Sequence, residues 1–350
     1  MRDQIIGAGF AALGATGLHR LVAPRLRGLG AVLMFHHVRP TGPRDFAPNG
    51  MLEITPAFLD AALTRLRAIG YRIVGLDEAV AELRDGGDTK AAPFAVLTFD
   101  DGLRDNLVHA LPVLERHGAP FINYVTTGFA ARTARLWWVE LEEAVRRADR
   151  LDLRIDGASL SLPADTPAQK SAAFKAVYWK LRGGSEERLL SVVGQLAAGQ
   201  GIDGRSLVDS LCMDWDEIEV LARHPLATIG GHTLTHPRLA RLDAAEMRTE
   251  LGAAKSELEE RLGRTVDHFA YPVGDPGSAG PREFAAVADF GYASAVTTRP
   301  GLIHPEHAAY LTALPRVSVN GAWQDLRHLE VLLSGAAFAL WNRGRKLNVA

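Results

Sequence analysis

The sequence predicts an α/β protein with a barrel-like parallel sheet, and three features of the chain support this. Short apolar runs typical of buried strands alternate with amphipathic helical segments through most of the 350 residues. Several of these runs end directly in aspartate or histidine, as expected where parallel strands open onto a site. The content of 47% hydrophobic and 23% charged residues is ordinary for a globular protein with a sizeable core.

Four apolar runs in the first part of the chain are predicted to be strands. They cover residues 31–35, 71–74, 95–99 and 120–125. A helix is predicted to begin after Thr55, which is the N-cap, and to stop at Gly70. A second helix is predicted over 107–117.

Residues from about 129 to 223 interrupt this alternation. They hold a charged amphipathic stretch, a polar hairpin-like piece over 153–162 and helices rich in alanine and lysine. We interpret them as a mainly helical insertion packed beside the barrel. Trp137 and Trp138 at its start could stack on sugar rings, although core packing is the default for such a pair.

The alternation resumes after the insertion. A strand is predicted at 227–230, and strands at 268–271 and 293–297 follow it. Between them lies a helix over 244–262 that begins with a capping box. The barrel domain is thus predicted to span 29–325, after an N-terminal apolar helix (1–28) and before a C-terminal helix or tail (326–350).

The N-terminal segment allows two interpretations. Residues 5–14 are apolar and resemble a weak signal sequence, but no dependable cleavage site follows them. With Arg20, Arg25 and Arg27 behind it, the segment could lie on an anionic membrane, or it could pack against the domain. A cytoplasmic or membrane-associated location is favoured over export.

Charge and cysteine content exclude other classes of protein. The formal net charge is −2 and no long basic block occurs, so the chain has no electrostatic footprint for nucleic acid. Its single cysteine, Cys212, permits neither a disulfide framework nor a thiolate metal cluster. We interpret Cys212 as a small buried residue.

Two adjacent carboxylates, Asp100 and Asp101, follow the predicted strand at 95–99. Neighbours on an extended strand point to opposite sides, so one carboxylate can bind a cation while the other faces a substrate. Alone, the pair is equally compatible with an ordinary Asp-Asp-Gly turn.

Two histidines, His232 and His236, follow the strand at 227–230. Their spacing brings both imidazoles to one ion if a helical turn starts there, although the proline that follows favours a loop. Gly230 and Gly231 would permit close approach of the ion. With the two carboxylates, these histidines supply a divalent-metal site with a spare acid–base group, as acyl hydrolysis requires.

The motif Thr-Phe-Asp-Asp-Gly at 98–102 and the motif His-Thr-x-x-His at 232–236 together resemble the polysaccharide deacetylase family. This NodB-homology group includes chitooligosaccharide and peptidoglycan deacetylases. Shorter stretches that also resemble the family lie at 36–38, 55–58, 269–274 and 314–317. The resemblance covers roughly residues 32–320 and implies a deformed (β/α) barrel of about seven parallel strands.

The resemblance also implies roles for individual residues. One divalent metal, with zinc as the first choice, would be held by Asp101, His232 and His236. Asp100 would be the general base, and a backbone N–H at the turn of Tyr271 and Pro272 would help the metal to stabilise the oxyanion. An acid must then protonate the departing amine, because an unprotonated amide nitrogen leaves poorly.

Two parts of the family pattern are altered in this chain. Ala270 stands where many members carry an arginine that holds the base carboxylate, and we predict that Arg316 replaces it; a structural arginine is the alternative. The acid motif near the end of the domain is ambiguous. His304 fits its letters, whereas His307 is equally well placed after a strand, and we favour His307.

The histidines at 36 and 37 are expected to support the metal ligands or to contact the substrate, with at least one of them structural. Taken together, the sequence predicts a metal-dependent hydrolase that removes N-acetyl groups from N-acetylglucosamine-containing oligo- or polysaccharides. Its partner would be a carbohydrate, with no obligate protein partner. Two alternatives stay open: the same machinery acting on another amide, and a member that binds glycan without cleaving it. Asp100 argues against the latter, because a binding module needs no base.

Overall fold

The computed structural model describes residue 14 and residues 16–349, which are organised around one large parallel sheet. The strands are β1 (Gly30–Phe35), β2 (His37–Val38), β3 (Glu53–Ile54), β4 (Arg72–Ile73), β5 (Phe94–Phe99), β6 (Phe121–Val125), β7 (Arg150–Ile155), β8 (Ala158–Pro163), β9 (Ala227–Gly231), β10 (His268–Ala270), β11 (Ser294–Pro300) and β12 (Leu314–Ser318).

The α-helices of the described residues are α1 (Leu18–Leu26), α2 (Pro56–Ala68), α3 (Leu76–Arg84), α4 (Leu111–His117), α5 (Thr127–Ala130), α6 (Trp137–Arg147), α7 (Pro167–Arg182), α8 (Glu186–Gly199), α9 (Gly204–Leu211), α10 (Trp215–Ala222), α11 (Ala244–Leu262), α12 (Pro281–Asp289), α13 (Leu326–Leu333) and α14 (Ala336–Trp341). Short 3-10 segments connect several of them, and a π-helix, Asn106–Ala110, leads into α4.

Seven of the strands close into a barrel. Their order is β1, β12, β11, β10, β9, β6 and β5, and β5 pairs back with β1 along its whole length. All of these pairings are parallel. The prediction of an α/β barrel with about seven parallel strands is therefore confirmed.

The strands are apolar on both faces because each face is covered. Side chains such as Val32, Val96 and Val296 form a cluster inside the barrel. The alternate positions, among them Leu33 and Leu97, pack outward against the surrounding helices. This arrangement explains why the strands appear in the sequence as continuous apolar runs.

Local signals in the sequence account for several helix ends. The Thr55 hydroxyl accepts a hydrogen bond from the Phe58 N–H, with Pro56 as the first residue of α2. Helix α11 begins at a capping box formed by Asp243 and Glu246. Both starts were predicted and are confirmed.

One barrel strand was not predicted. Residues Leu314–Ser318 form β12, whose proline at 315 obscures the strand pattern, since proline cannot donate to a sheet ladder. This strand closes the barrel between β11 and β1. The omission matters because β12 carries Arg316.

The inserted segment has its own apolar core, separate from the clusters of the barrel. It contains the antiparallel hairpin β7–β8, whose turn places Asp156 and Gly157 at positive φ. Trp137 and Trp138 are each only 7% exposed and belong to this core. They are therefore packing residues and offer no open face for a sugar ring.

The ends of the chain lie around the barrel. Helix α1 covers part of the predicted N-terminal helix, whereas most of the apolar stretch at 5–14 lies outside the described residues. The C-terminal region forms α13 and α14. No helix in the described part of the chain combines the length and the apolarity needed to cross a bilayer.

Candidate active site

The candidate site lies at the carboxyl-terminal end of the barrel. Asp100 and Asp101 directly follow β5, His232 follows β9 and His36 follows β1. Because parallel strands all end on the same side of the sheet, residues distant in sequence meet there.

Asp101, His232 and His236 form a compact group that could hold a metal ion. One candidate ligand atom from each residue lies within 4.8 Å of the other two. The Asp101 Oδ1 atom is 3.3 Å from the Nε2 atom of each histidine. Asp101 and His232 are buried, and the side chain of His236 is nearly so.

The loop that carries the histidines is irregular rather than helical. Thr233 and His236 have φ of 66° and 65°, in the left-handed region. The Thr233 hydroxyl accepts a hydrogen bond from the His236 N–H, which folds the loop back toward the site. The two imidazoles are thus brought together by a strained loop, and the helical turn considered from their spacing is absent from residues 232–236.

The chemistry of these three groups fits a cation. His232 Nδ1 lies 2.7 Å from the Ala270 carbonyl oxygen, so it carries the ring proton and leaves a lone pair on Nε2. That lone pair faces the Asp101 oxygen, which has no hydrogen-bond partner in the described structure although it is buried. A divalent metal requires such an arrangement, in which a carboxylate oxygen and imidazole lone pairs converge with no hydrogen-bond donor between them.

The two imidazoles favour the anionic form of Asp101. Burial acts to raise the pKa of this carboxyl group, but the contacts with the His232 and His236 rings outweigh that effect and hold the pKa well below the ordinary value. Asp101 is therefore ionised, as a metal ligand must be.

Packing holds His236 in place from outside. The Trp138 ring lies 4.8 Å from the imidazole, and the Phe129 ring lies 5.9 Å from it, measured between centroids. Both aromatic residues precede or begin the inserted segment's first long helix, α6. The insertion therefore helps to position a candidate ligand.

Gly230 and Gly231 have a role different from the predicted one. Both lie in β9 and neither has a positive φ. A Cβ atom at Gly230 would meet the Tyr124 ring at 2.5 Å, and one at Gly231 would meet the Tyr292 hydroxyl at 2.6 Å. These glycines make room for neighbouring tyrosines, and the expectation that they admit the ion is corrected.

Asp100 is held by Arg316 through two parallel hydrogen bonds. The two carboxylate oxygens accept from Nη1 and Nη2 of Arg316, each at 2.7 Å. Arg316 also donates to Thr98 and to the Thr297 carbonyl oxygen, and its side chain is completely buried. The guanidinium thus reaches the Asp100 carboxylate from β12, while Ala270 lies buried in β10.

This ion pair sets the charge of Asp100. Burial acts to raise the pKa of the carboxyl group, and the charge and hydrogen bonds of Arg316 more than offset that effect, so the pKa is lowered. Asp100 is ionised, and it lies beside the three-residue group.

Replacing Arg316 by glutamine is expected to lower the free energy of unfolding by about 3–5 kcal/mol, because Asp100 would be left as an unpaired buried charge. Urea denaturation measures this loss. In the double variant with Asp100→Asn the loss should be smaller than the sum of the two single losses. Strictly additive losses would show that the pair does not act as a unit.

His36 is the histidine that faces the site. Its Nε2 atom lies 3.9 Å from Asp100 Oδ2, and its side chain is 17% exposed to solvent. His37, by contrast, is buried and its Nδ1 atom lies 2.6 Å from the Asp105 carboxylate. One of the two histidines is therefore structural, as expected, and the other is available to a substrate.

The predicted oxyanion donors need correction. The Tyr271 N–H already donates to the Val296 carbonyl oxygen, and Pro272 has no N–H. The next residue, Val273, has φ of 62°, which is a rare conformation for a β-branched residue. No hydrogen bond within the described residues uses its N–H. This turn therefore holds, in a strained conformation, a backbone donor that has no partner among the described residues.

Comparison with known proteins identifies the family. The family model for polysaccharide deacetylase matches residues 87–294, which is more than half of the chain. The chain belongs to the polysaccharide deacetylase family. Membership places it among hydrolases that remove acetyl groups from glycans. Among curated proteins, none matches the sequence.

Solved structures of deacetylases share this fold. The Streptococcus pyogenes deacetylase PplD, solved with acetate, is 18% identical, with 86% of this chain and 96% of that chain covered and a TM-score of 0.56. IcaB from Ammonifex degensii is 19% identical, with 87% and 98% covered and a TM-score of 0.53. A polysaccharide deacetylase from Bacillus cereus is 18% identical, with 87% and 68% covered and a TM-score of 0.52. At these identities the likeness establishes the fold alone.

The structure does not bring His304 or His307 to the site of this deacetylase. After β11 the chain turns back before it reaches these two histidines. Ile303, the residue before His304, pairs antiparallel with Gly30, the first residue of β1. By contrast, the Asp100 N–H donates to the carbonyl oxygen of Phe35, the last residue of β1. Asp100 and Ile303 therefore lie at opposite ends of this strand. Five residue steps along a parallel strand span roughly 16 Å. The prediction of His307 as catalytic acid is therefore corrected, and the alternative His304 fails for the same reason.

His307 has a consequence for stability instead. Burial lowers its pKa from 6.5 to about 4, and its Nε2 atom lacks a partner in the described structure. The folded protein resists protonation that the unfolded chain accepts near pH 6.5. The contribution of neutral His307 to the free energy of unfolding is therefore complete above that pH and is lost as the pH falls toward 4.

In the wild type, protonation of His307 in the unfolded chain should lower the free energy of unfolding by on the order of 3 kcal/mol as the pH falls from about 7 to about 4. A His307→Gln variant should lack that part of the decline. Urea denaturation of both proteins across this range measures the difference, and parallel pH profiles would contradict the assignment.

Proposed function

We propose that this deacetylase is metal-dependent and removes N-acetyl groups from oligo- or polysaccharides that contain N-acetylglucosamine. The observation that carries the proposal is the arrangement of two aspartates. Asp101 faces two imidazoles as a ligand would, while Asp100 is held ionised beside them by Arg316.

Asp101, His232 and His236 would hold the cation, and their two nitrogens and one oxygen are a donor set that suits zinc. When bound, such a cation supplies Lewis acidity, which polarises the acetyl carbonyl group and lowers the pKa of a nearby water. The three residues leave coordination positions open, as a catalytic site needs.

The residues around this group have complementary tasks. Asp100 accepts a proton from the attacking water, and Arg316 keeps its carboxylate ionised and correctly oriented. The Val273 N–H donates to the carbonyl oxygen as it gains negative charge. The carbon–nitrogen bond then breaks, and acetate and a free amine are the products.

We propose His36 as the acid that protonates the departing amine. It replaces His307, which lies at the other end of the barrel, and its ring is directed at the site. Burial lowers the pKa of His36, while the charges of Asp101 and Asp100 act in the opposite direction and favour the protonated ring. The Nε2 atom of His36 lies 3.9 Å from Asp100 Oδ2, so the group proposed to take up a proton and the group proposed to deliver one are neighbours.

A His36→Gln variant should lose about 10²–10⁴-fold in kcat for acetate release from an N-acetylated sugar. An activated acetate ester, whose leaving group needs no proton, should be hydrolysed with a much smaller loss. The control is His37→Gln, which changes the neighbouring histidine that bonds Asp105. Equal losses on amide and ester would contradict an acid role.

The substrate assignment requires a panel of compounds. Acetate release should be highest with N-acetylglucosamine oligomers or polymers, lower with O-acetylated glycans and absent with acetylated amines that carry no sugar. Activity should disappear with a chelator and return with zinc. Preference for a small non-sugar amide would contradict the substrate class, and binding of glycan without acetate release would contradict catalysis.

A further inference from the structure

The end of the barrel opposite the candidate site carries an unusual concentration of exposed apolar side chains. Ten large hydrophobic residues of the described chain are exposed, and four of them lie on α1 and α14. Their exposed fractions are 50% for Leu18, 75% for Leu21, 73% for Leu340 and 49% for Trp341. Two helices of nine and six residues thus hold nearly half of this set.

These helices pack together at one place on the molecule. They contact each other, and the Leu26 carbonyl oxygen of α1 lies directly against Gly335, which precedes α14. Only three residues separate the end of α1 from the first residue of β1. The pair therefore lies toward the amino-terminal end of the barrel. We call residues 16–27 and 336–349, which include α1 and α14, the basal surface.

The charge of the basal surface is one-sided. Residues 16–27 and 336–349 contain no aspartate or glutamate. Their cations are Arg20, Arg25, Arg27, Arg343, Arg345 and Lys346. Arg20 and Lys346 are paired with Glu330 and Glu306. In the part of the chain that the structure describes, no carboxylate lies within ion-pair distance of the others.

A small groove between the two helices combines both properties. Its volume is about 110 Å³, and Arg25, Arg345 and Lys346 line it together with apolar groups such as Leu302 and Phe338. A groove that has both cationic and apolar side chains suits an amphipathic ligand with an anionic headgroup and an apolar chain.

We propose that the basal surface docks on a bilayer that contains anionic phospholipid. Leucine and tryptophan side chains suit the boundary between headgroups and acyl chains, where tryptophan is enriched. The unpaired arginines would lie at the level of the phosphates, where each cation strengthens binding. This interaction also extends the membrane contact considered for residues 1–28 to α14, which lies in the predicted C-terminal helix or tail.

Charge distinguishes this occupant from a second copy of the chain. A symmetric contact between two basal surfaces would bring the same cations of both copies together without carboxylates from the two segments. An anionic lipid surface instead complements every one of them.

Docking in this way orients the enzyme. The candidate active site lies beyond the far end of the barrel strands, roughly 16 Å or more from their amino-terminal ends. It would open away from the bilayer. If the proposed function holds, the acetylated glycan is one that extends from the membrane rather than one attached to lipid at its reacting sugar.

The test uses the full chain and sedimentation with vesicles. One set contains phosphatidylcholine alone, and the other contains phosphatidylcholine with phosphatidylglycerol. The protein should sediment with the second set and much less with the first, and added salt should weaken binding. Equal binding to both sets, or to neither, would overturn the proposal.

Two double variants probe the surface. Leu21→Glu with Leu340→Glu removes apolar contact, and Arg25→Glu with Arg345→Glu reverses charge. Each should lower partitioning to anionic vesicles at least about tenfold.

A matched control applies the same charge change elsewhere, at the exposed residues Arg241 and Arg264. That control should bind as the wild type does. All variants should retain acetate release from a soluble oligosaccharide, which shows that they are folded and separates this test from the proposed function.

Two outcomes would contradict the role of the basal surface. Each double variant should lose binding if the surface docks on the membrane, so wild-type binding by either of them would overturn that role. A dimer in light scattering that dissociates in the leucine variant would show instead that the surface joins two copies.

Discussion

Asp100→Asn should reduce kcat for acetate release by about 10²–10⁴-fold while metal content stays unchanged. Asparagine has nearly the shape of aspartate but accepts no proton from water. Asp100 is not one of the three converging ligand residues, so its replacement leaves that group intact. Steady-state acetate release and elemental analysis of the same preparation measure both quantities.

The substitution also disturbs a buried ion pair, so its effect on folding has to be separated from its effect on chemistry. The asparagine cannot neutralise Arg316, whose side chain is fully buried. Unfolding curves should therefore show a less stable protein that is still folded under assay conditions. A folded Asp100→Asn protein with near wild-type kcat would exclude Asp100 as the base.

His232→Ala should lower metal content from about one ion per chain to almost none. Acetate release should fall at least about 10³-fold, since the Lewis acid contributes several kcal/mol to the barrier. The variant removes one of three ligands, and it also removes the ring whose Nδ1 bonds Ala270. Elemental analysis after dialysis measures the first effect.

The chain offers a matched control in His268. This histidine is equally buried, lies in the adjacent strand β10, and bonds Ser294 and Asp77 instead of the candidate metal group. His268→Ala should lose stability but keep its metal and its activity. Loss of metal in both variants would point to general unfolding, and retention of metal in His232→Ala would contradict the ligand assignment.

Much of the barrel could be predicted because its strands are buried on both faces. Runs such as 95–99 and 120–125 therefore stand out as continuous apolar segments. The same rule explains the failure at β12, where Pro315 and Arg316 interrupt the apolar pattern. A buried arginine looks like a surface residue until its partner, Asp100, is known to lie at the end of β5, on the other side of β1.

The candidate site was predictable to the extent that its residues follow strands directly. Asp100, Asp101 and His232 do so, and their juxtaposition follows from parallel topology. His36 also follows a strand directly, so its place at this end of the barrel could be predicted in the same way. The turn of the chain that pairs Ile303 with Gly30 had no such signal. No sequence signal marks the strained backbone at Val273 either, because that conformation depends on tertiary packing.

The proposed mechanism requires one cation between Asp101, His232 and His236, with Asp100 free beside it. Anomalous diffraction from crystals grown with zinc tests this most directly. We expect a single peak about 2.0–2.2 Å from one Asp101 oxygen and from both Nε2 atoms, with Asp100 outside that shell. A peak elsewhere, or a zinc ion bound through Asp100, would contradict it.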